Sequence, residues 1–152
     1  MLGGLDYRTI NAAINRTIQA LGGLVTLTGS QTLTNKTLTA PIVTNPAYTA
    51  QTLTDAANVS WNMDLGSVAT LTLSATGGVT RTLNTPTNLR VGTSIMKCIQ
   101  GDGTARGITW PAIVKWVVTT PPVLSSGAGK VDIVSFFCDG TNLYGSFMPN
   151  MG

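Results

Sequence analysis

The tripeptide Thr-Leu-Thr occurs five times, beginning at residues 26, 32, 37, 52 and 70, and it is preceded by Gln at 31 and 51. In an extended strand successive side chains point to opposite faces, so each unit turns its leucine one way and its threonines the other. β-Branched threonine favours that backbone. The pieces Gly29-Ser30, Asn35-Lys36, Ala40-Pro41 and Asn45-Pro46 interrupt the alternation. The spacing therefore predicts, over residues 24–56, an extended arm of strands about three residues long. Its apolar side chains form only a sparse file of Leu27, Leu33 and Leu38, followed by Ile42 and Val43. Such a file cannot close a core alone. Either it lies across a neighbour, or identical chains wind about an axis so that each leucine meets its symmetry mates. Pro41 and Pro46 limit unwanted edge pairing.

Ahead of the arm, residues 1–23 read as one amphipathic helix. In LDYRTINAAINRTIQALGG the apolar residues Tyr7, Ile10, Ile14, Ile18 and Leu21 recur at threes and fours, with Arg8, Asn11, Asn15 and Gln19 on the other side. Asp6 is placed to cap the first free amides, and Gly22-Gly23 supplies a left-handed stop. A helix of about four turns is marginal alone in water, so its stripe needs a docking partner. That partner is its own domain, two further copies, or a larger assembly.

Residues 57–152 read as a domain of short strands. VSWNMDL, SVATLTLS, VTRTLN, TSIMKCIQ, GITWPAIVKW, KVDIVSFFC and NLYGSFM alternate, and ATGG, NTPTN, GDGTARG and DGT connect them. Seven or so strands at this spacing predict a β-sandwich of jelly-roll type. Its expected core draws on Trp61, Leu71, Leu73, Ile95, Ile99, Ile108, Ile133, Phe137 and Leu143. Asp139-Gly140 between two alternating runs is the clearest hairpin signal. The fold class is thus mainly β, with a helix and an extended arm in front.

The chain contains neither His nor Glu, and its side-chain carboxylates are Asp6, Asp55, Asp64, Asp102, Asp132 and Asp139. Without His there is no Ser-His-Asp or Cys-His nucleophile and no imidazole ligand. Cys98 and Cys138 sit in apolar, strand-like company and cannot supply a four-ligand zinc site; they read as buried thiols, with a disulfide open if their strands pair. No catalytic residue, metal or cofactor is expected. Nine basic residues against six acidic ones give a net charge of +3 without a basic run, which disfavours nucleic acid. The Met1 end lacks a signal-like pattern and no apolar stretch approaches membrane-spanning length, so the expectation is a soluble chain made in the cytoplasm.

Tempting motifs weaken on inspection. SSGAGKVD ends like a phosphate loop, but Leu124 stands where its first glycine belongs and Val131 where Ser or Thr would hold magnesium. The sequons at Asn15, Asn35 and Asn58 are what a chain rich in Thr and Asn yields by chance. Asp102 and Asp139 precede glycines, where turns want Asp for backbone reasons. Trp110 and Trp116 could stack on a sugar, although an apolar strand buries such residues more often than it displays them.

Two stretches carry a resemblance. SQTLTNKTLTAPIV is similar to a motif that recurs in tail-fibre and other virion structural proteins of tailed bacteriophages. ARGITWPAIVKW with TPPVLSSGAGKVDIVSFFCDGTNLYG resembles a C-terminal β-sandwich module of the same proteins, through Trp110 to Ala112, Val114 to Trp116 and Asp139 to Asn142. The resemblance implies a homotrimer without catalytic activity, located in the virion. The brevity of the chain favours a head-decorating (cement) protein or short fibre over a long fibre. Attachment, to itself and to other virion proteins such as the major capsid protein, then falls to Ile10, Ile14, Ile18, Leu27, Leu33, Leu38 and Ile42. The alternative is a tail-tip module that recognises a host-surface glycan, with Trp110 and Trp116 as contacts.

Overall fold

The computed structural model describes residues 6–20 and 37–151. Contacts divide the chain into two units, residues 1–44 and 45–152.

In the first unit the helix α1 spans Tyr7–Ala20. Asp6 caps it as expected: its Oδ1 accepts from the Thr9 amide at 2.7 Å, and its backbone carbonyl accepts from Ile10 at 3.1 Å. The hydrogen bonds from Thr9, its amide first, hold the Asp6 carboxyl below its ordinary value. The Gly22-Gly23 stop lies outside the described residues. So do Leu27 and Leu33. The unit at Thr37-Leu38-Thr39 is described and is not a strand, contrary to expectation. An isolated strand leaves its backbone groups unpaired, so alternation alone does not make one.

The last Gln-Thr-Leu-Thr, expected in the arm, instead opens the second unit. β1 (Ala50–Thr52) leads into Leu53, which is buried. From here the chain shuttles between two sheets. β1, β3 (Val68–Leu73) and β5 (Gly92–Gln100) stack in parallel in one sheet, and β2 (Asn58–Val59), β4 (Thr80–Leu83) and β6 (Gly107–Thr109) stack in parallel in the other. Each pair of strands is one rung of a coil. Two Thr-Leu-Thr units lie side by side in this stack: Thr52 pairs with Thr70, and the Leu53 amide donates to the Thr70 carbonyl at 2.8 Å. β8 (Val131–Cys138) and β9 (Leu143–Met148) then extend the larger sheet antiparallel to β5, and β7 (Val114–Trp116) joins its far edge parallel to β9. The order is β1-β3-β5-β8-β9-β7.

This pairing is not that of a jelly roll. A jelly roll pairs its strands antiparallel, but here antiparallel pairing is confined to β5 with β8 and β8 with β9, and β8 and β9 form the expected Asp139-Gly140 hairpin. There Asp139 Oδ1 accepts from the amides of Thr141 and Asn142, and Gly140 takes φ +97°. The connections ATGG and GDGTARG are corners of the coil, and a corner uses the same turn residues as a hairpin. VSWNMDL is a strand only at β2 and continues into a 3-10 turn at Met63–Leu65. Pro111 lacks an amide hydrogen, and GITWPAIVKW breaks there into β6 and β7.

Residues of both sheets share one core, built on Trp61, Leu71, Leu73, Leu83, Met96, Val134, Phe136 and Leu143. Ile95, Ile99, Ile108 and Ile133 are only half-buried, and Phe137 is 54% exposed. On β5 and β8 the inward face is instead Ser94, Met96, Cys98 and Gln100 with Asp132, Val134, Phe136 and Cys138. Both faces of these strands are apolar, so alternation does not choose between them. Two of the inward polar residues find partners: Gln100 Nε2 donates to the Arg106 carbonyl, and Asp132 accepts from the amide and hydroxyl of Ser125 and from the Asn150 amide, whereas Ser94 Oγ and Gln100 Oε1 are buried without one. Cys98 pairs with Asp132 and Cys138 with Gly92 at the other end of the ladder, roughly 20 Å away at the usual rise of a strand. That is too far for a disulfide, and both thiols are free and buried.

A polar column fills one corner of the coil. Arg81, fully buried, grips Asp55 with Nε on Oδ1 at 2.6 Å and Nη2 on Oδ2 at 2.9 Å. It also donates to the carbonyls of Gly78 and Ser74. Asp55 Oδ2 accepts from Ser74 Oγ at 2.7 Å and from the amides of Ser74 and Gly77. Arg106, from the next rung, donates to the same Gly78 carbonyl at 2.5 Å and pairs with Asp102 at 2.8 Å. Burial pushes the Asp55 carboxyl up, but the hydrogen bonds from Arg81 and Ser74 outweigh it and hold the group well below the carboxylate range. A Cβ on Gly77 would lie 2.5 Å from Asp55 Oδ1 and 2.6 Å from Arg81 Nε, so no side chain fits there.

Replacing Asp55 by Asn should therefore strand a buried guanidinium and lower stability by about 3–5 kcal/mol in urea denaturation at pH 7. Because the folded carboxyl is depressed, its contribution is complete above the ordinary carboxylate pKa and is lost as pH falls. The gap in melting temperature between wild type and Asp55→Asn should begin to narrow below about pH 4 and keep shrinking toward pH 2. A gap that stays constant down to pH 2 would show that the charge of Asp55 is not what stabilises the fold.

Candidate assembly surfaces

Apolar side chains remain on the outside in several places. On α1, Tyr7, Ile10 and Ile14 are exposed, Ile14 by 50%. The side chain of Ile18, fourth in the expected stripe, lies outside the described residues. Farther along the first unit, Leu38, Ile42 and Val43 are exposed, and Ile42 is 98% open. Of the predicted attachment residues, Ile10, Ile14, Leu38 and Ile42 are thus described and accessible in the single chain.

The second unit shows two apolar surfaces that sequence reasoning missed. The outer face of the larger sheet carries Ile95 and Ile99 on β5, Ile133 and Phe137 on β8, and Tyr144 and Met148 on β9. Phe137 and Tyr144 are cross-strand neighbours with ring centroids 6.5 Å apart, and Lys97 breaks the apolar field opposite Ile133. The signal was present in the sequence as two apolar faces on one strand; only the choice of inward face was hidden. The other surface is the loop after β7, where Val117, Val118 and Val123 are exposed. With Trp116, Pro122 and Phe147 the loop walls a groove of about 350 Å³. Thr119 at its tip has φ +60°, a strained backbone for a β-branched residue.

Trp110 is buried, and Trp116 is half-buried. Their rings meet edge to face at 5.3 Å, and both approach Phe136. One face of Trp116 covers Gly145, where a Cβ would fall 2.5 Å from the indole. Both Nε1 atoms are buried without a hydrogen-bond partner. The two residues that the glycan alternative would use as contacts are therefore together, on the inner side of the β7–β9 edge.

Each of the six carboxylates has a structural task. Asp6 caps the helix, Asp55 binds Arg81, Asp64 pairs with Arg90, Asp102 with Arg106, Asp132 ties Ser125 to Asn150, and Asp139 holds the hairpin turn and the Tyr144 hydroxyl. The Asn142 and Thr141 amides hold the Asp139 carboxyl below its ordinary value, and the hydrogen bond that the Tyr144 hydroxyl donates to Asp139, followed by the carboxylate charge, raises the phenol. Among the described residues no group of three or more His, Cys, Asp or Glu stands close enough to hold a metal, and no helix is long and apolar enough to cross a membrane. Compared with protein-family models, curated proteins and solved structures, the chain matches none.

Burial, with the Asp132 charge beside it, pushes the Cys98 thiol up to about 12, and Cys138 is equally enclosed. Neither should react with iodoacetamide at neutral pH while the chain is folded. Mass spectrometry should show two additions only after denaturation; labelling of the native protein would mean that the core opens.

Proposed function

We propose that the chain is a non-catalytic bacteriophage virion structural protein, a homotrimeric head-decoration or short-fibre protein held on the particle by its N-terminal helix and arm. The supporting observation is the apolar surface left on the N-terminal segments, in addition to that on the outer face of the β unit. The second unit has enough buried side chains to close its own core, whereas Ile10, Ile14, Leu38 and Ile42 lie exposed on the segments that precede it. Exposed apolar surface that a domain does not need for itself marks an interaction site. In this reading the two-layer β unit serves as the outward-facing sandwich module, and its carboxylates are spent on structure. The glycan reading has less support, because Trp110 is buried and one face of Trp116 is covered by Gly145.

Light scattering of the purified protein should report a trimer, and the double change Leu33→Asp with Leu38→Asp should dissociate it by bringing three carboxylates together at each poorly solvated layer. A monodisperse monomer at micromolar concentration is incompatible with the proposal. Deleting residues 1–23 should leave a cooperatively melting β unit that no longer incorporates into virions. Wild-type occupancy by the truncated protein would place attachment on the β unit instead.

A further inference from the structure

Among the described residues no strand pairs with the outer side of the first rung: β1 is the outermost strand of the larger sheet and β2 that of the smaller one. Because the Leu53 amide turns toward Thr70 in β3, the backbone groups of the alternate residue Thr52 face the open edge. Stacked repeats need their terminal units covered, and natural edges that stay exposed carry charge or proline. The edge Thr49-Ala50-Gln51-Thr52-Leu53-Thr54 has neither. The nearest charge, Asp55, is consumed by Arg81. Gln51 Oε1 on this strand is buried and has no hydrogen-bond partner.

The chain also holds a strand that fits this edge. Within the coil one Thr-Leu-Thr unit already lies parallel to another, Thr52 beside Thr70, with Leu53 and Leu71 both turned into the core. Thr37-Leu38-Thr39 has the same sequence, yet in the single chain Leu38 is 57% exposed and its backbone is in no sheet. Ala40-Pro41 follows at once and limits any pairing to about the length of β1 itself.

We infer that the open edge of β1 is the docking site for the Thr37-Leu38-Thr39 segment of a second copy of this chain, added as a parallel strand with Thr37 beside Thr52 and Leu38 beside Leu53. The added leucine continues the core stack past Leu53. Five residues after Leu38 comes Val43, and six after Leu53 comes Val59 of β2, so the same segment can cover the first strand of both sheets. Each copy offers one donor segment and one acceptor edge. Such a head-to-tail contact closes as a ring, and three copies make it the trimer proposed above, on which this inference rests.

Adjacent strands run about 4.8 Å apart, within the Cα separation that a disulfide spans, so cysteines at paired positions cross-link. Thr37→Cys in one preparation and Thr52→Cys in another, mixed and oxidised mildly, should give a covalent dimer on a non-reducing gel. Its yield should exceed by at least about tenfold that of Thr37→Cys mixed with the exposed-turn variant Thr141→Cys, reflecting the effective concentration of a formed interface. Thr39→Cys with Thr54→Cys tests the same register and covers a folding failure at Thr52. A trimer by light scattering that cross-links no better than the control would overturn the edge and leave the trimer standing. A link formed only within a single double-cysteine chain would assign the edge to the chain's own arm and equally overturn the exchange.

Discussion

The buried pair of Arg81 and Asp55 is the constraint on which the coil depends. Asp55 lies between β1 and β2, Ser74 at the end of β3, and Arg81 in β4, so a single guanidinium joins two successive rungs at the corner where the chain changes sheets. Arg106 repeats the arrangement one rung later through the shared Gly78 carbonyl. Parallel strands separated by long crossovers have no hairpin to fix their register. Here the register follows from a polar column in which every oxygen has an assigned donor. A hydrophobic corner of equal volume could be as stable, but it would allow the rungs to slip. Gly77 is the geometric condition for this column, since only a residue without a side chain leaves the carboxylate within reach.

Much of the fold was legible in the sequence, and what was not has physical reasons. The helix, its Asp6 cap, the Asp139-Gly140 hairpin and nearly every strand rest on local chemistry: alternation, turn residues and a side-chain cap. Strand partnership is not local. The corners at Gly77-Gly78 and Asp102-Gly103 use residues that also make hairpins, so a parallel coil and an antiparallel sandwich have almost the same local signature. The inward face of β8 was misjudged for a related reason. Phe136 and Phe137 are adjacent and equally apolar, and the choice between them is set by Asp132, whose partners Ser125 and Asn150 lie on other segments. Of the candidate attachment residues, those on the helix and arm were identified by being surplus to a core. The outer face of β5, β8 and β9 escaped notice because its isoleucines had been assigned to the interior.

The surfaces that remain differ in character. The helix stripe and the segment from Leu38 to Val43 offer short apolar files, suited to grooves or to strand edges. The outer sheet face is broad but interrupted by Lys97, and the groove beside Trp116 is bounded by a strained loop. With few charges anywhere in the chain, discrimination among partners at these surfaces rests on shape and backbone hydrogen bonding more than on charge.

The strands of the larger sheet lengthen along the coil, from three residues in β1 to six in β3 and nine in β5. The local contacts lie at the other end, in the β8–β9 hairpin, while Ala50 meets Val68 and Val68 meets Ile95 across sequence separations of 18 and 27 residues. Closing such loops is slow unless a formed surface waits to receive them. The long antiparallel ladder is that surface, and its strands β8 and β9 leave the ribosome after β1 and β3. Translation therefore delivers β1 first and lets it settle last. During that interval the newest molecules carry the most unpaired edge, and on a crowded message the nearest copies are siblings at the same stage of synthesis.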